Sequence, residues 1–331
     1  MNFGWLDPEA LSGKSFPLPA DPVTNQLLLR RAQSAQPLKI QVGLAEWHVK
    51  EWKGRLYPAR TREADVMDAY MQRYRCIEFN GTHYRIYPPD TIRKWAEKAV
   101  HDDFSFLPKF PQLISHHSQF VNPVRDTALF LDSVAAFGTH LGPLFIQTGE
   151  HFAPTRINQE HLYRYLGTLP RPLTVFVEFR HPDWFTDPVL GIWTETFRDL
   201  GIGAVITDTP GRRDACHMQL TIPKVLVRFV GKSRVASTYA RIEEWMQRIK
   251  GWERDGLEEA YFIVHSGLSA PEMSRYVIAR VNEILGQTIP DPQLSQPLFN
   301  PFDDAVRYGL IATGQTPVLD QPLAPVQMGL F

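Results

Sequence analysis

The sequence predicts a (β/α)8 barrel of the TIM type carrying an extension at each end. Three observations lead there. Eight short apolar runs have strand length and are rich in β-branched or aromatic residues. Helical patterns separate most of them. The first run is followed by Glu46-Trp47-His48, not by the glycine-rich phosphate loop that usually follows the first strand of the competing open doubly wound sheet.

The runs lie at 40–47, 76–80, 104–111, 143–149, 174–181, 203–209, 224–231 and 260–266. Helical period appears at 63–75, 90–100, 125–138, 157–168, 188–200, 238–254 and 270–285. Asn122-Pro123 offers an N-cap and a first-turn proline. Ser269-Ala-Pro-Glu272 reads as a capping box, with Met273, Val277, Val281 and Ile284 on one face and Gly286 at the stop. The stretch Pro210–Pro223 has no helical period, so an irregular crossover is expected there. The barrel is therefore placed at residues 40–286. Prolines crowd residues 1–39, which hold one short helical pattern near Thr24, and residues 287–331.

The chain has 331 residues with 35 basic against 36 acidic side chains, a net charge of −1. That balance excludes a bulk electrostatic nucleic-acid binder, though not a local basic patch. Cys76 and Cys216 are too few for a disulfide framework or a thiolate zinc site. There is no basic-then-apolar leader and no run long enough to span a membrane, so a cytoplasmic protein without membrane contact is expected.

In such a barrel, side chains alternate between interior and helix layer, and chemistry gathers at the C-terminal strand ends. Those ends carry Glu78 and Asn80, Lys109, Gln147, Glu178 and Arg180, Asp208, Arg228, and His265 in strand order. Alternation places Glu78 with Asn80, and Glu178 with Arg180, on common inward faces. The positive charges of Lys109, Arg180 and Arg228 point to an anionic ligand. The run Gly231-Lys232-Ser233 adds weak phosphate evidence, since Leu226 stands where a Walker loop requires glycine.

The expected function is an enzyme acting on a phosphate-bearing anion, with phosphoester hydrolysis foremost and nucleic acid admissible. Glu78, Glu178 and Asp208 are the candidate catalytic groups. Asn80, Lys109, Gln147, Arg180, Arg228, Lys232 and His265 are the candidate anion-binding ones. No organic cofactor is expected. No metal ligand is assigned, because the interleaved cations oppose a multi-metal centre, although Glu78 or Glu178 leaves one divalent ion open. The alternative is a non-catalytic ligand-binding barrel whose mouth is a structural ion-pair network.

Five short segments in order resemble the YecE-like proteins, domain of unknown function family 72. They are Trp52-Lys-Gly-Arg-Leu-Tyr-Pro58, Ile77-Glu-Phe-Asn80 with Tyr84-Arg85, Phe106-Leu-Pro-Lys109, Val177-Glu-Phe-Arg-His181 with Trp184, and Val227-Arg228-Phe. The resemblance spans about 40–285 and implies a (β/α)8-type fold with no established activity. It marks Glu78, Asn80, Lys109, Glu178, Arg180 and Arg228 as matching recurrent polar motifs. The chain departs from the family pattern at Gly43-Leu-Ala-Glu-Trp47, at Val230-Gly231 and at His83.

The sequence ends Gln327-Met-Gly-Leu-Phe331 after a proline-spaced stretch. This resembles the peptide by which bacterial replication and repair proteins dock on the DNA sliding clamp. Leu330 and Phe331 would fill an apolar pocket there, and Gln327 would hydrogen-bond at its rim.

Overall fold

A computed structural model describes residues 3–32 and 36–312. Its eight strands are β1 (Lys39–Leu44), β2 (Cys76–Phe79), β3 (Ser105–Pro108), β4 (Leu144–Gln147), β5 (Val175–Glu178), β6 (Gly203–Asp208), β7 (Lys224–Val230) and β8 (Glu259–His265). Each falls on an expected run. All pair in parallel, in the order β3-β2-β1-β8-β7-β6-β5-β4. Parallel bridges Phe106–Leu141 and Lys109–Phe145 bring β3 against β4 and close the ring.

Both faces of a closed parallel sheet are buried, one by the barrel interior and one by helices. One parity of residues forms a small inner core of Cys76, Leu107, Phe145, Phe176, Val205, Leu226, Tyr261 and Ile263. The other parity, including Ile77, Phe106, Ile146, Val177, Ile206 and Phe262, joins a larger core shared with the helices. The interior is filled tightly at its base. A Cβ on Gly43 would lie 2.4 Å from the Cys76 carbonyl oxygen, and one on Gly203 would lie 2.3 Å from the Phe176 ring.

In chain order the helices are α1 (Pro8–Leu11), α2 (Val23–Ala32), α3 (Val66–Met71), α4 (Gly81–Tyr84), α5 (Pro89–Ala96) and α6 (Val124–Ala135). They continue with α7 (Arg156–Gly167), α8 (Val189–Leu200), α9 (Ala236–Asp255), α10 (Ala270–Leu285) and α11 (Pro301–Arg307). As expected, β6 passes to β7 without an α-helix, through a single 3-10 turn at Arg213–Ala215. The N-terminal helix α2 packs there instead. Its buried Asn25 donates to the Met218 carbonyl at 2.7 Å and accepts from the Leu220 amide at 2.9 Å. Asp21, just before α2, accepts from Arg248 and Trp252 of α9 at 2.6 and 2.9 Å.

Two expected helix ends differ from the sequence reading. Pro123, not Asn122, is the N-cap of α6, and Asn122 sits in the left-handed region at φ 48°. The capping box before α10 does not form. Ser269 donates to the Ser266 carbonyl, while the fully buried Glu272 accepts from Arg55 at 2.5 Å and from the Leu298 amide at 2.8 Å. A buried guanidinium needs the carboxylate more than a helix amide does. Gly286 ends α10 in the left-handed conformation, as expected. Both cysteines are buried free thiols. Among the described residues, no helix is long and apolar enough to cross a membrane.

The closeness of Gly43 to the β2 backbone yields a test. Gly43→Ala must push β1 off β2 at a site with no free volume. It should cost about 1–3 kcal/mol in urea unfolding, the usual range for overpacking.

Candidate functional site

Parallel alternation carries the inner face up to the C-terminal mouth, where its residues become polar. Arg228 on β7 is 2% exposed and lies between two carboxylates from distant strands. Its Nε and Nη2 donate to Oε2 and Oε1 of Glu78 on β2, each at 2.8 Å. Its Nη1 donates to both oxygens of Glu178 on β5, at 2.8 and 2.6 Å. Arg180 adds a contact to Glu178 at 2.9 Å. Around this bridge, Asn80 donates to Glu78 at 2.8 Å and to the Ala45 carbonyl at 3.1 Å. His265 Nε2 is 3.1 Å from Glu78. Gln147 donates to Glu178 at 2.7 Å and accepts from Lys109 Nζ at 2.8 Å. Eight of the ten expected catalytic and anion-binding residues thus converge.

The other two do not. Asp208 has the opposite parity and faces the helix layer, fully buried. There it accepts from Trp245 at 2.8 Å, pairs with Arg241 at 2.9 Å and also pairs with Arg213. Its neighbour Thr207 takes the inward position and donates to Glu178 at 2.5 Å. Lys232 lies on the rim, its ammonium 5.0 Å from the Trp5 ring centre and 3.9 Å from Asp7.

Burial pushes both carboxyls up, and the arginines more than reverse it. Arg180 and Arg228, with hydrogen bonds from Thr207 and Gln147, hold Glu178 down to about 2. Arg228 and His265 hold Glu78 well below the usual range. Burial and then Arg228 bring Lys109 down to about 8, against the pull of Glu178 and Glu78. Burial likewise lowers His265, despite Glu78 beside it. With Asp208 turned away, three cations (Lys109, Arg180, Arg228) face two carboxylates (Glu78, Glu178) at this mouth among the described residues.

Two histidines that sequence reasoning did not assign to the site stand beside Lys109. His83 in α4 meets the Phe110 carbonyl at 2.8 Å, and burial and Lys109 lower it to about 4. His116, in the turn after β3, lies with its ring 5.1 Å from that of His83. Burial and then Lys109 lower it as well. Neither belongs to a strand, so alternation carries no signal for them. A cavity of about 410 Å³ opens beside Glu78 and Asn80, walled by Trp47, Met67, Tyr87 and Trp95. On the opposite side, residues 3–5 lie over the mouth, with Phe3 on Arg180.

The donor set does not suit a divalent ion, because the Arg228 guanidinium takes the place between Glu78 and Glu178 that a cation would need. Among the described residues, no three His, Cys, Asp or Glu side chains gather as a metal site requires.

The family profile described as "Protein of unknown function DUF72" matches residues 41–296. The chain belongs to this family. The DUF72 match covers the barrel from Gln41 of β1 onward and every residue of the mouth cluster. The curated relative "UPF0759 protein YecE" of Escherichia coli (strain K12) is 25% identical over 274 residues, 76% of this chain and 94% of the relative. A DUF72 protein of Thermotoga maritima MSB8 superposes with a TM-score of 0.60 at 20% identity, covering 75% of this chain and 100% of that one. A DUF72 protein of Enterococcus faecalis V583 gives 0.59 at 16% identity, over 78% of this chain and 99% of that one. These structures share the barrel fold. The expected clamp-docking residues Gln327, Leu330 and Phe331 lie outside the described residues.

Removing the central cation takes the guanidinium partner from buried Glu78 and leaves Glu178 with Arg180 alone. Arg228→Met should therefore cost about 3–5 kcal/mol in chemical denaturation. The depressed carboxyls also set an acid dependence. Glu178 contributes stability above its ordinary value of 4.5 and loses it as pH falls toward about 2. Glu178→Gln should show a shallower loss of stability across that window than the parent protein, measured by urea midpoints at stepped pH.

Proposed function

We propose that this protein is an enzyme that takes a phosphate-bearing anion at the barrel mouth and hydrolyses its ester bond. The observation that carries this reading is the convergence of three buried cations, Lys109, Arg180 and Arg228, at one mouth. In low-dielectric surroundings a charge-assisted hydrogen bond from such a cation to an anion is strong. Lys109 and Arg180 are the anion's ligands, both held toward the mouth by Gln147 and Glu178. Arg228 is fixed by its two carboxylates and supplies field rather than direct contact.

The carboxylates have a different role from the one their residue type first suggests. Both are held ionised far below neutrality, which makes them poor proton carriers, so they position the arginines. His116 is neutral at physiological pH, lies within electrostatic reach of Lys109 and Arg180, and is suited to accept a proton from an attacking water. The cavity of about 410 Å³ beside Asn80 gives room for the organic part of the ester. A single phosphodiester within a nucleic acid satisfies the same chemistry.

One observation favours the alternative of a non-catalytic binding barrel: both carboxylates are fully engaged within the cluster. Calorimetry with inorganic phosphate, together with turnover of aryl phosphomonoesters and phosphodiesters, separates the two readings. Lys109→Met should weaken phosphate binding about tenfold or more, as expected for loss of a charge-assisted hydrogen bond. His116→Ala should keep binding and slow turnover by roughly 100-fold. Binding without turnover of any ester leaves the binding barrel, and no binding of phosphate removes the anion reading. Docking of the tail on a DNA sliding clamp is a separate proposal. A pull-down with purified clamp tests it, and equal capture of a chain lacking residues 327–331 would end it.

A further inference from the structure

We infer that the cavity beside Glu78 and Asn80 is a nucleobase pocket, so that the ester taken at the mouth is a nucleotide or a nucleic-acid strand. The inference rests on the reading above for the phosphate, but not for the base. The cavity of about 410 Å³ is lined from the ends of β1 and β2 and from α3 and α5. Phe79 is its most deeply buried ring, at 3% exposure. The Phe79 ring centre lies 5.3 Å from that of Trp47, 5.4 Å from that of Trp95 and 6.4 Å from that of Tyr87. Those three rings, and Met67 with them, pack on the core yet stay only half-buried. Rings needed for packing alone are covered as Phe79 is. Three that wall one open space leave their apolar surface to a guest. The wall is also set in advance. Asn80 donates to the Ala45 carbonyl at 3.1 Å and Tyr57 donates to the Trp47 carbonyl at 2.8 Å, which fixes the loop that carries Trp47.

The chemistry of the wall selects the guest. Aromatic side chains stack on a planar ring, and every base offers a π face. Two acceptors line the same cavity, Asn80 Oδ1 and the exposed Glu46 carboxylate. Among the described residues neither accepts a hydrogen bond, since Asn80 engages its neighbours only as a donor. Every base carries a ring or exocyclic N–H that suits them. The Glu46 carboxylate repels a phosphate, so the base enters here and the phosphate lies toward Lys109 and Arg180, after β3 and β5. An organic cation is the other guest that aromatic walls attract. Here the Arg85 guanidinium already lies over the Tyr87 ring, 5.5 Å from its centre, and would repel a second cation.

Calorimetry of the full-length protein with adenosine, guanosine, cytidine and uridine, none of which carries phosphate, tests the pocket by itself. At least one should bind saturably. Trp47→Leu and Tyr87→Leu should each weaken that nucleoside about tenfold or more, the usual effect of losing a stacking surface. Trp47→Phe and Tyr87→Phe keep a ring in place and should retain most of the affinity. If Trp47→Leu shows no cooperative urea transition, the two Tyr87 variants decide. Saturable binding of no nucleoside overturns the pocket, whatever inorganic phosphate does. Binding that neither leucine variant weakens overturns it too, as does binding of choline alone. The 5′-monophosphate of the bound nucleoside then separates the two readings. Tighter binding than the nucleoside, lost in Lys109→Met, supports both, whereas equal binding keeps the base pocket and removes the anion reading. A dinucleotide that binds more tightly than the monophosphate identifies a strand as the source of the base, and equal binding identifies the free nucleotide.

Discussion

One guanidinium holds the top of this barrel together. Arg228 on β7 gives four hydrogen bonds to two glutamates on β2 and β5, 150 and 50 residues away in the chain. None of the three charges is tolerable in the interior alone, since desolvating a single ion costs several kcal/mol. They become tolerable together, and only when strands β2, β5 and β7 stand in one ring with their registers set. Arginine suits the task because its planar fork meets two carboxylates at once in fixed geometry. The neighbouring Asn80, Gln147, Thr207 and His265 then complete the polar atoms around it.

The same bridge fixes what the mouth can do. Glutamates held ionised by arginine neither release nor take a proton near neutrality, so they act as anchors. Burial has moved the affinities of Lys109, His83 and His116 toward or below neutrality instead. The orientation of Asp208 matters as much as any inward residue. By pairing with Arg241, Arg213 and Trp245 in the helix layer, it adds no negative charge to the inner cluster.

The sequence made the barrel and most of the cluster legible for a simple reason. Where one parity of a strand end is polar and the other apolar, as in Ile77-Glu-Phe-Asn80 or Val177-Glu-Phe-Arg180, alternation assigns the inward face. In β6 the end reads Ile206-Thr-Asp208, and Thr207 and Asp208 are both plausible inward groups. Parity counted from Val205 assigns Thr207, while proximity to the strand end alone selects Asp208. His83 and His116 sit in single short helical turns after strands, Gly81–Tyr84 and Leu113–His117, outside the strand alternation. Ser269 and Glu272 have the spacing of a capping box, yet a guanidinium 217 residues away claims the carboxylate. The contact of Phe3 with Arg180 has no sequence signature, because neither residue belongs to a motif that names the other.

Helix α2 has a further consequence, in the order of events during synthesis. It precedes every strand of the barrel in the sequence, yet the backbone groups that satisfy its Asn25 belong to Met218 and Leu220. Until the chain has been made as far as these residues, α2 has no crossover to rest on. The helix is too short to persist by itself in water. A helix made before every strand of the barrel is therefore among the last elements to dock, through contacts of very long range.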